Sequence, residues 1–399
     1  MNHDVDRGAP DQRAGGFGDI IGGRSVEKQV AGFCGRKPHG LGANRELVAN
    51  RGGEPEQAAF PGGGDQGYDE AHRPSSYAAG RLAGKHEGAP PVVIVAGPTA
   101  SGKSALALAL AEQWGGAVIN ADALQCCRDL EILTARPDAA AQARAPHRLY
   151  GFLDAAERGS AGAWRTLALS EIAAATNAGR LPIVVGGTGL YLRALQHGLA
   201  PFPEIPDAIR TEAAALHCAL GGAAFREELA ALDAASARRL HPADSQRLVR
   251  AYTVARATGI PVGAWHRRPH ATAPYRFATI LMMPPRDRLY AACDMRFAAM
   301  IESGALAEAA ALAARALDPD LPAMKALGLP ELLRHLHGET TLATAVAAAQ
   351  QATRRYAKRQ MTWFRHQSQP DLVLAEQFSE SLLHRSRQFI DEFLLTGRG

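Results

Sequence analysis

The chain has 399 residues, with 44 Lys and Arg against 40 Asp and Glu, 47% apolar residues and only 6% aromatic ones. That length exceeds a usual single domain, so two or more units with a sizeable core are expected. No run of 18 apolar residues occurs and residues 1–18 lack the apolar stretch of a signal peptide, so neither membrane insertion nor secretion is expected. The five cysteines, at 34, 126, 127, 218 and 293, show no metal-ligand spacing. Their odd number speaks against a disulfide framework, and a cytoplasmic setting follows as the expectation.

Residues 1–89 stand apart in composition. They hold 19 of the 40 glycines, and no apolar run there exceeds two or three residues. A segment so poor in apolar residues cannot offset the entropy of ordering, so it reads as a disordered extension or the product of a misassigned start. It carries 11 basic and 12 acidic residues, which leaves 33 and 28 for the remainder. An Arg/Gly-type RNA-binding tail would need an excess of base that this segment lacks.

Order is expected from residue 90 onward. Val92-Val93-Ile94-Val95-Ala96 is a β-branched run suited to a buried parallel strand. It leads into Gly97-Pro98-Thr99-Ala100-Ser101-Gly102-Lys103-Ser104, which matches the phosphate-loop pattern G-x-x-x-x-G-K-[ST], and residues 105–113 then read as a helix. Glycines at 97 and 102 let the backbone curl so that successive N–H groups face phosphate oxygens, and the helix N-terminus adds the positive end of its dipole. Lys103 supplies a point charge and the Ser104 hydroxyl can hold Mg²⁺.

A second strand, residues 117–121, ends at Asp122, and a third, residues 181–185, ends at Gly186-Gly187-Thr188-Gly189-Leu190-Tyr191. In doubly wound sheets, ligands bind beyond the carboxyl ends of the strands, which puts the phosphate loop, Asp122 and Thr188 around one crevice. Asp122 alone is equally open to a helix-capping role. Residues 206–270 look all-helical between sheet elements and read as an inserted domain containing Arg238, Arg239, Arg247 and Arg250. Residues 354–366 carry six basic side chains and no acid. On a helical wheel Arg354, Lys358 and Arg365 form one stripe, with Arg355, Arg359 and His366 beside it. Tyr356, Gln360, Met361, Trp363 and Phe364 take the packing side. Such a stripe suits phosphate backbone contacts, although an ordinary solvated basic face has the same pattern. Trp164 and Trp265 are expected in the core, and His147 and His241, each beside a proline, are expected to be structural.

Six segments in order resemble the tRNA dimethylallyltransferase (tRNA isopentenyltransferase) family. They are the loop at 97–104; Asp122-Ala123-Leu124-Gln125 with Thr134-Ala135-Arg136-Pro137; Ala145-Pro146-His147-Arg148-Leu149; Val185-Gly186-Gly187-Thr188-Gly189-Leu190-Tyr191; His241-Pro242-Ala243-Asp244-Ser245-Gln246-Arg247-Leu248-Val249-Arg250; and Lys358-Arg359-Gln360-Met361-Thr362-Trp363-Phe364-Arg365. The matches run from about 91 to 366 and none falls in the extension. The resemblance implies an α/β fold, a phosphate-loop parallel sheet flanked by helices, with core segments at 90–205 and 271–399 around the all-helical insertion at 206–270. It implies transfer of a dimethylallyl group from dimethylallyl diphosphate to N6 of the adenosine at position 37, next to the anticodon, in tRNAs reading codons that begin with U. The partners implied are a tRNA anticodon stem-loop and the diphosphate; a monomer is expected.

Carried over position by position, the resemblance makes Asp122, Thr99, Lys103 and Arg296 the catalytic group, Gly97 to Ser104 the diphosphate cradle and Ser104 the Mg²⁺ ligand. RNA contacts are implied for Asp122, Ala123, Leu124, Gln125, Thr188, Arg210, Gln246, Arg247, Leu248, Val249, Arg250, Lys358, Arg359 and Arg365. A diphosphate leaving group needs its growing charge neutralised by fixed donors. The weakly nucleophilic exocyclic amine needs a carboxylate within hydrogen-bond reach, and its base must be turned out of the stack.

Two departures stand out. Ala123 replaces the usual serine and Cys126-Cys127 replace a V-Y pair, which removes a hydroxyl and a ring from the segment expected to face adenosine. In Ala292-Cys293-Asp294-Met295-Arg296-Phe297 one family arginine is missing while Arg296 remains. Three rivals share part of the pattern. A phosphate-loop small-molecule kinase would not need the basic C-terminal helix. A transferase acting on free adenosine phosphates would be shorter and lack it. A decayed RNA-binding module would not keep Thr99, Lys103 and Asp122 together.

Deleting residues 1–88 is predicted to leave prenyl transfer unchanged; a truncated chain that fails to fold or to act would overturn the reading of this segment as an appendage.

Overall fold

A computed structural model of the chain describes residues 88–269 and 271–396. The extension read as disordered therefore lies, through residue 87, outside the described residues. Six strands form one parallel sheet: β1 (Pro91–Ala96), β2 (Ala117–Asn120), β3 (His147–Arg148), β4 (Pro182–Gly186), β5 (Arg276–Met282) and β6 (Leu372–Leu374). Their order across the sheet is β3-β2-β4-β1-β5-β6. The central strand β1 pairs in parallel with both β4 and β5, Val95 lying opposite Val185 on one side and Ile280 on the other.

Alternation along the strands builds two cores. Val93 and Val95 of β1, Ile183 and Val185 of β4, and Ile280 and Met282 of β5 face one side. There they meet α1 (Lys103–Gln113), the short α2 (Ala139–Arg144) and α13 (Glu380–Leu395). Val92, Ile94, Val184 and Leu281 face the other side and meet α3 (Ala161–Asn177) and α4 (Gly189–His197). Burial on both faces explains why these strands read as continuous apolar runs rather than alternating ones. The first helix starts at Lys103, two residues earlier than its apolar pattern indicated, because the phosphate-loop residues form its first turn.

Between α4 and β5 the chain makes four helices: α5 (Asp207–Leu232), α6 (Ala234–Arg239), α7 (Ser245–Thr258) and α8 (Val262–His266). Phe225, Leu229, Leu248, Val254 and Trp265 fill a separate apolar cluster among them. After β5 come α9 (Arg286–Glu302), α10 (Ala305–Ala313), α11 (Leu329–Leu336) and the long α12 (Leu342–Gln367). These pack around Phe297, Leu312, Leu332 and Ala349, together with Leu130 and Leu133 from the loop after β2.

That loop is held onto the helices by charge. The Glu308 carboxylate of α10 accepts the backbone N–H groups of Glu131 (2.6 Å), Ile132 (2.8 Å) and Leu133 (2.8 Å). Arg315 bridges Asp129 and Asp154, each at 2.7 Å. The stretch from Asp122 to Arg136 is thus anchored at its far end by a carboxylate seated in a row of amides. Among the described residues no helix is long and apolar enough to cross a membrane.

Glu308→Ala strips three amides of a charged acceptor, and hydrogen bonds to charged groups contribute about 1.5–3 kcal/mol each when buried, less when solvent competes. The expected outcome is a stability loss of about 2–3 kcal/mol in urea unfolding, with faster hydrogen exchange at residues 131–133. Unchanged exchange at those amides would show that another contact holds the loop.

Candidate active site

The carboxyl ends of β1, β2 and β4 meet at one edge of the sheet, where glycine allows the closest approaches. The phosphate loop leaves β1 at Gly97 and closes at Gly102, whose φ of 88° lies in the left-handed region that only glycine enters cheaply. Ala100 also holds a positive φ, 63°, a strained conformation for a residue with a Cβ. Ser101 is fully buried and its Oγ has no hydrogen-bond partner among the described residues. A buried hydroxyl left in that state is costly, as expected of a loop built to close around an anion.

Two positively charged side chains converge on the loop. Lys103 Nζ lies 3.5 Å from the Pro98 carbonyl oxygen. Arg296, from the middle of α9, donates to Thr99 Oγ1. Desolvation pulls the Lys103 ammonium down to about 8; nearby Arg296 pushes the same way and Asp122 opposes it. Arg296 is likewise depressed by burial, with Cys293 and Asp122 working against the shift. Two cations and one carboxylate therefore share a poorly hydrated space.

Asp122 is placed by a residue that the motif reading passed over. Asn120, fully buried at the end of β2, accepts the Asp122 N–H at 2.8 Å and donates to the Asp122 and Leu149 carbonyls, both at 2.9 Å. Its own carbonyl accepts Trp164 Nε1 at 2.9 Å, and the Trp164 indole stacks on Tyr191 with ring centroids 4.4 Å apart. The only available signal was an amide at the end of an otherwise apolar strand. Asp122 Oδ1 accepts the Leu124 N–H at 3.0 Å within a turn; no helix begins here, so the carboxylate braces the turn rather than capping a helix.

Thr188 occupies the N-cap position of α4 without a side-chain capping bond and instead joins the ends of β2 and β4: its Oγ1 accepts the Ala123 N–H at 3.0 Å, and its own N–H donates to the Ala121 carbonyl at 3.2 Å. Gln360 lies on the packing side of α12, as the helical wheel indicates, yet its amide is bonded on both sides. Its Oε1 accepts the Thr99 N–H at 2.8 Å and its Nε2 donates to the Gly187 carbonyl at 2.9 Å. Thr99, Lys103, Asp122, Thr188 and Arg296 are thus brought together.

The residues read as RNA contacts divide. Lys358, Arg359 and Arg365 are exposed along α12, and Gln246, Arg247 and Arg250 are exposed on α7. Arg210 of α5 is close enough to lower the Arg250 pKa further, after burial, and Arg250 lies over the Phe202 ring at 4.8 Å. Leu248 is a correction: it is fully buried in the helical core, and Val249 packs against that core, so neither offers RNA a free side chain. The Gln125 amide is committed to the carbonyls of Thr134 and Ala135 at 2.9 Å. Leu124 is half-buried against the α9–α12 core, while Ala123 is exposed. Arg354 leaves the free stripe, because it pairs with Asp294 at 2.5 Å.

The cysteine departures also resolve differently from their expected outward placement. Cys126 and Cys127 are buried, one in the sheet core with Trp164 and Tyr191, the other in the α9–α12 core. Burial, with Asp122 nearby, pushes the Cys126 thiol up to about 12. Trp164, Trp265 and His147 lie in structural settings, the last with Nδ1 2.8 Å from the Ala145 carbonyl oxygen, and His241 Nδ1 accepts the Ala243 N–H at 3.1 Å.

Residues 125–367 match the family model described as IPP transferase, and residues 90–159 the one described as isopentenyl transferase. The chain is 60% identical over 279 residues to the tRNA dimethylallyltransferase of Rhodospirillum centenum, which covers 69% of this chain and 89% of the relative. It is 54% identical over 316 residues to that of Rhodospirillum rubrum, covering 78% and 97%. Among solved structures it is similar to the full-length tRNA isopentenylpyrophosphate transferase of Bacillus halodurans, with 30% identity, a TM-score of 0.57 and coverage of 77% and 97%. The fold is also shared with a eukaryotic dimethylallyltransferase acting on tRNA, at 24% identity and a TM-score of 0.66, covering 76% of this chain and 80% of that one. The phosphate loop alone left many activities open, but family-model matches that together run from residue 90 to 367, with 54–60% identity to these relatives, narrow them: the chain belongs to the tRNA dimethylallyltransferase, or IPP transferase, family.

Proposed function

We propose that this protein transfers a dimethylallyl group from dimethylallyl diphosphate to N6 of adenosine 37, beside the anticodon of tRNAs that read codons beginning with U, as a cytoplasmic monomer. The observation that carries the reading is the meeting of Asp122 with Lys103, Arg296 and the phosphate loop at one sheet edge, within a family whose relatives are named for this reaction.

The chemistry follows from charge. As the allylic C–O bond breaks, negative charge grows on the diphosphate. The loop amides, Lys103, Arg296 and Thr99 Oγ1 are donors fixed in advance for that charge, in a space where burial has already weakened competing water. The residues also fit a divalent cation shared with the substrate. Ser104 presents an exposed hydroxyl on the first turn of α1, and among the described residues no group of three or more His, Cys, Asp or Glu forms a metal cage. Ser104 would hold such an ion with one protein ligand, and an ion bound mainly through substrate phosphates and water is the habit of Mg²⁺. When bound, the ion would neutralise part of the leaving group's charge.

On the other side of the crevice Asp122 acts on the nucleophile. Its Oδ1 is engaged by Leu124, which orients the carboxylate and leaves Oδ2 to accept an N6 proton. That proton leaves N6 as the new C–N bond forms. The exposed basic residues of α7 and α12 support a bound anticodon stem-loop by phosphate contact, which positions the RNA without reading its sequence.

Incubating the protein with Mg²⁺, labelled dimethylallyl diphosphate and unmodified tRNA, then digesting to nucleosides, is expected to recover label on N6 of adenosine next to the anticodon. Label elsewhere, or none, would defeat the proposal. Asp122→Asn is expected to lower kcat by roughly 100-fold or more, in line with losing a positioned general base, while tRNA affinity stays near that of the wild type. Affinity lost in step with kcat would remove Asp122 from the role of base.

A further inference from the structure

Gln360 is 6% exposed and its carboxamide lies between two loops that come from distant parts of the chain. Its oxygen receives the Thr99 N–H and its nitrogen donates to the Gly187 carbonyl. The orientation of the amide is forced, since only the oxygen can accept from an N–H and only the nitrogen can donate to a carbonyl. Gly187 must lack a side chain for this contact to form. A Cβ there would lie 2.3 Å from Gln360 Nε2 and 3.1 Å from the Gly97 carbonyl oxygen.

The same helix touches the loops elsewhere. Two residues after Met361, which packs with Leu289, Cys293 and the loop residue Ala100, the Trp363 ring covers Gly189, where a Cβ would sit 2.3 Å from the indole. Arg296 reaches Thr99 from the opposite direction, through its side-chain hydroxyl. Thr99 is therefore held twice, by backbone from α12 and by hydroxyl from α9.

We infer that Gln360 is a positioning residue for the transfer: it fixes the backbone of Thr99 and ties the diphosphate loop to the β4–α4 turn that carries Thr188. It touches neither substrate. It acts through Thr99, and its role rests on the diphosphate-binding part of the proposed function.

The test uses the full chain with dimethylallyl diphosphate, Mg²⁺ and unmodified tRNA. Gln360→Met keeps the length of the side chain but removes both hydrogen bonds. The expected result is a kcat/KM for dimethylallyl diphosphate lowered roughly 10- to 100-fold, the scale of a displaced catalytic group, with KM for tRNA within about twofold of wild type. Because Gln360 acts through Thr99, combining Gln360→Met with Thr99→Ala is expected to cost much less than the product of the two single losses. A merely structural role would multiply them. Gly187→Ala approaches the same amide from the other loop and reads the proposal if Gln360→Met does not fold; it is expected to lower the same parameter. Direct titration with dimethylallyl diphosphate separates this inference from the assignment of the RNA substrate: a wild-type chain that binds the diphosphate without modifying tRNA defeats the latter, while weaker diphosphate binding by Gln360→Met still supports the former. A folded Gln360→Met with wild-type kcat/KM and diphosphate affinity, a loss confined to KM for tRNA, or single losses that multiply would overturn it.

Discussion

Two cations that burial penalises, Lys103 and Arg296, sit around one carboxylate, Asp122, and the rest of the architecture exists to keep them there. Desolvating a charge is costly, so this arrangement persists only where the surrounding structure over-determines it. The sheet supplies Lys103 and Asp122 from beyond the carboxyl ends of β1 and β2, with β4 between those strands, and α9 delivers Arg296. The diphosphate of the proposed function would meet donors already partly desolvated by burial, so attraction inside the crevice would be stronger than the same contacts at the surface. In the proposed function, the desolvation cost met in folding is what favours a polyanion at this site.

Holding that charge cluster explains contacts that otherwise look incidental. Asn120 fixes the turn at Asp122 from below, Thr188 fixes the adjacent Ala123 amide from the side, and Glu308 anchors the far end of the same loop. Each is a polar group inside or against the core, and each satisfies backbone groups that a non-helical loop would leave unpaired. The loop after β2 is therefore held by bonded amides, even though it has little secondary structure of its own.

How much of this was legible in the sequence depends on the range over which each signal acts. The phosphate loop, its strand and its helix are contiguous, so eight residues disclose both conformation and chemistry. Strand runs such as Val92 to Ala96 announce burial on both faces. Asn120, Gln360 and Glu308 carry no comparable local pattern: Gln360 meets Thr99 across 261 positions and Glu308 meets Ile132 across 176. On a helical wheel Gln360 is simply one more inward residue. The converse failure is Leu248, which shares a motif with Arg247 and Arg250 but not their face, since residues one position apart on a helix diverge by about 100°. Arg354 follows the long-range rule instead: its partner Asp294 lies 60 positions away on α9, which no pattern within α12 discloses.

The departures at 123, 126 and 127 show how a motif position and a functional side chain come apart. The contact between residue 123 and Thr188 is made by the backbone N–H, which alanine supplies as well as serine. Cys126 and Cys127 face inward, so exchanging other residues for them changes packing against Trp164 and Leu130 rather than the surface offered to RNA. With its proton held by burial, the Cys126 thiol behaves as a small apolar group beside the Asn120 amide. What the segment must present at the crevice is the Asp122 carboxylate at a fixed angle. The residues that set this angle, Asn120, Leu124 through its amide, and Thr188, are themselves unchanged, and Cys126 joins them, its Sγ accepting from Asn120 Nδ2 at 3.5 Å and donating to the Asp122 carbonyl at 3.4 Å.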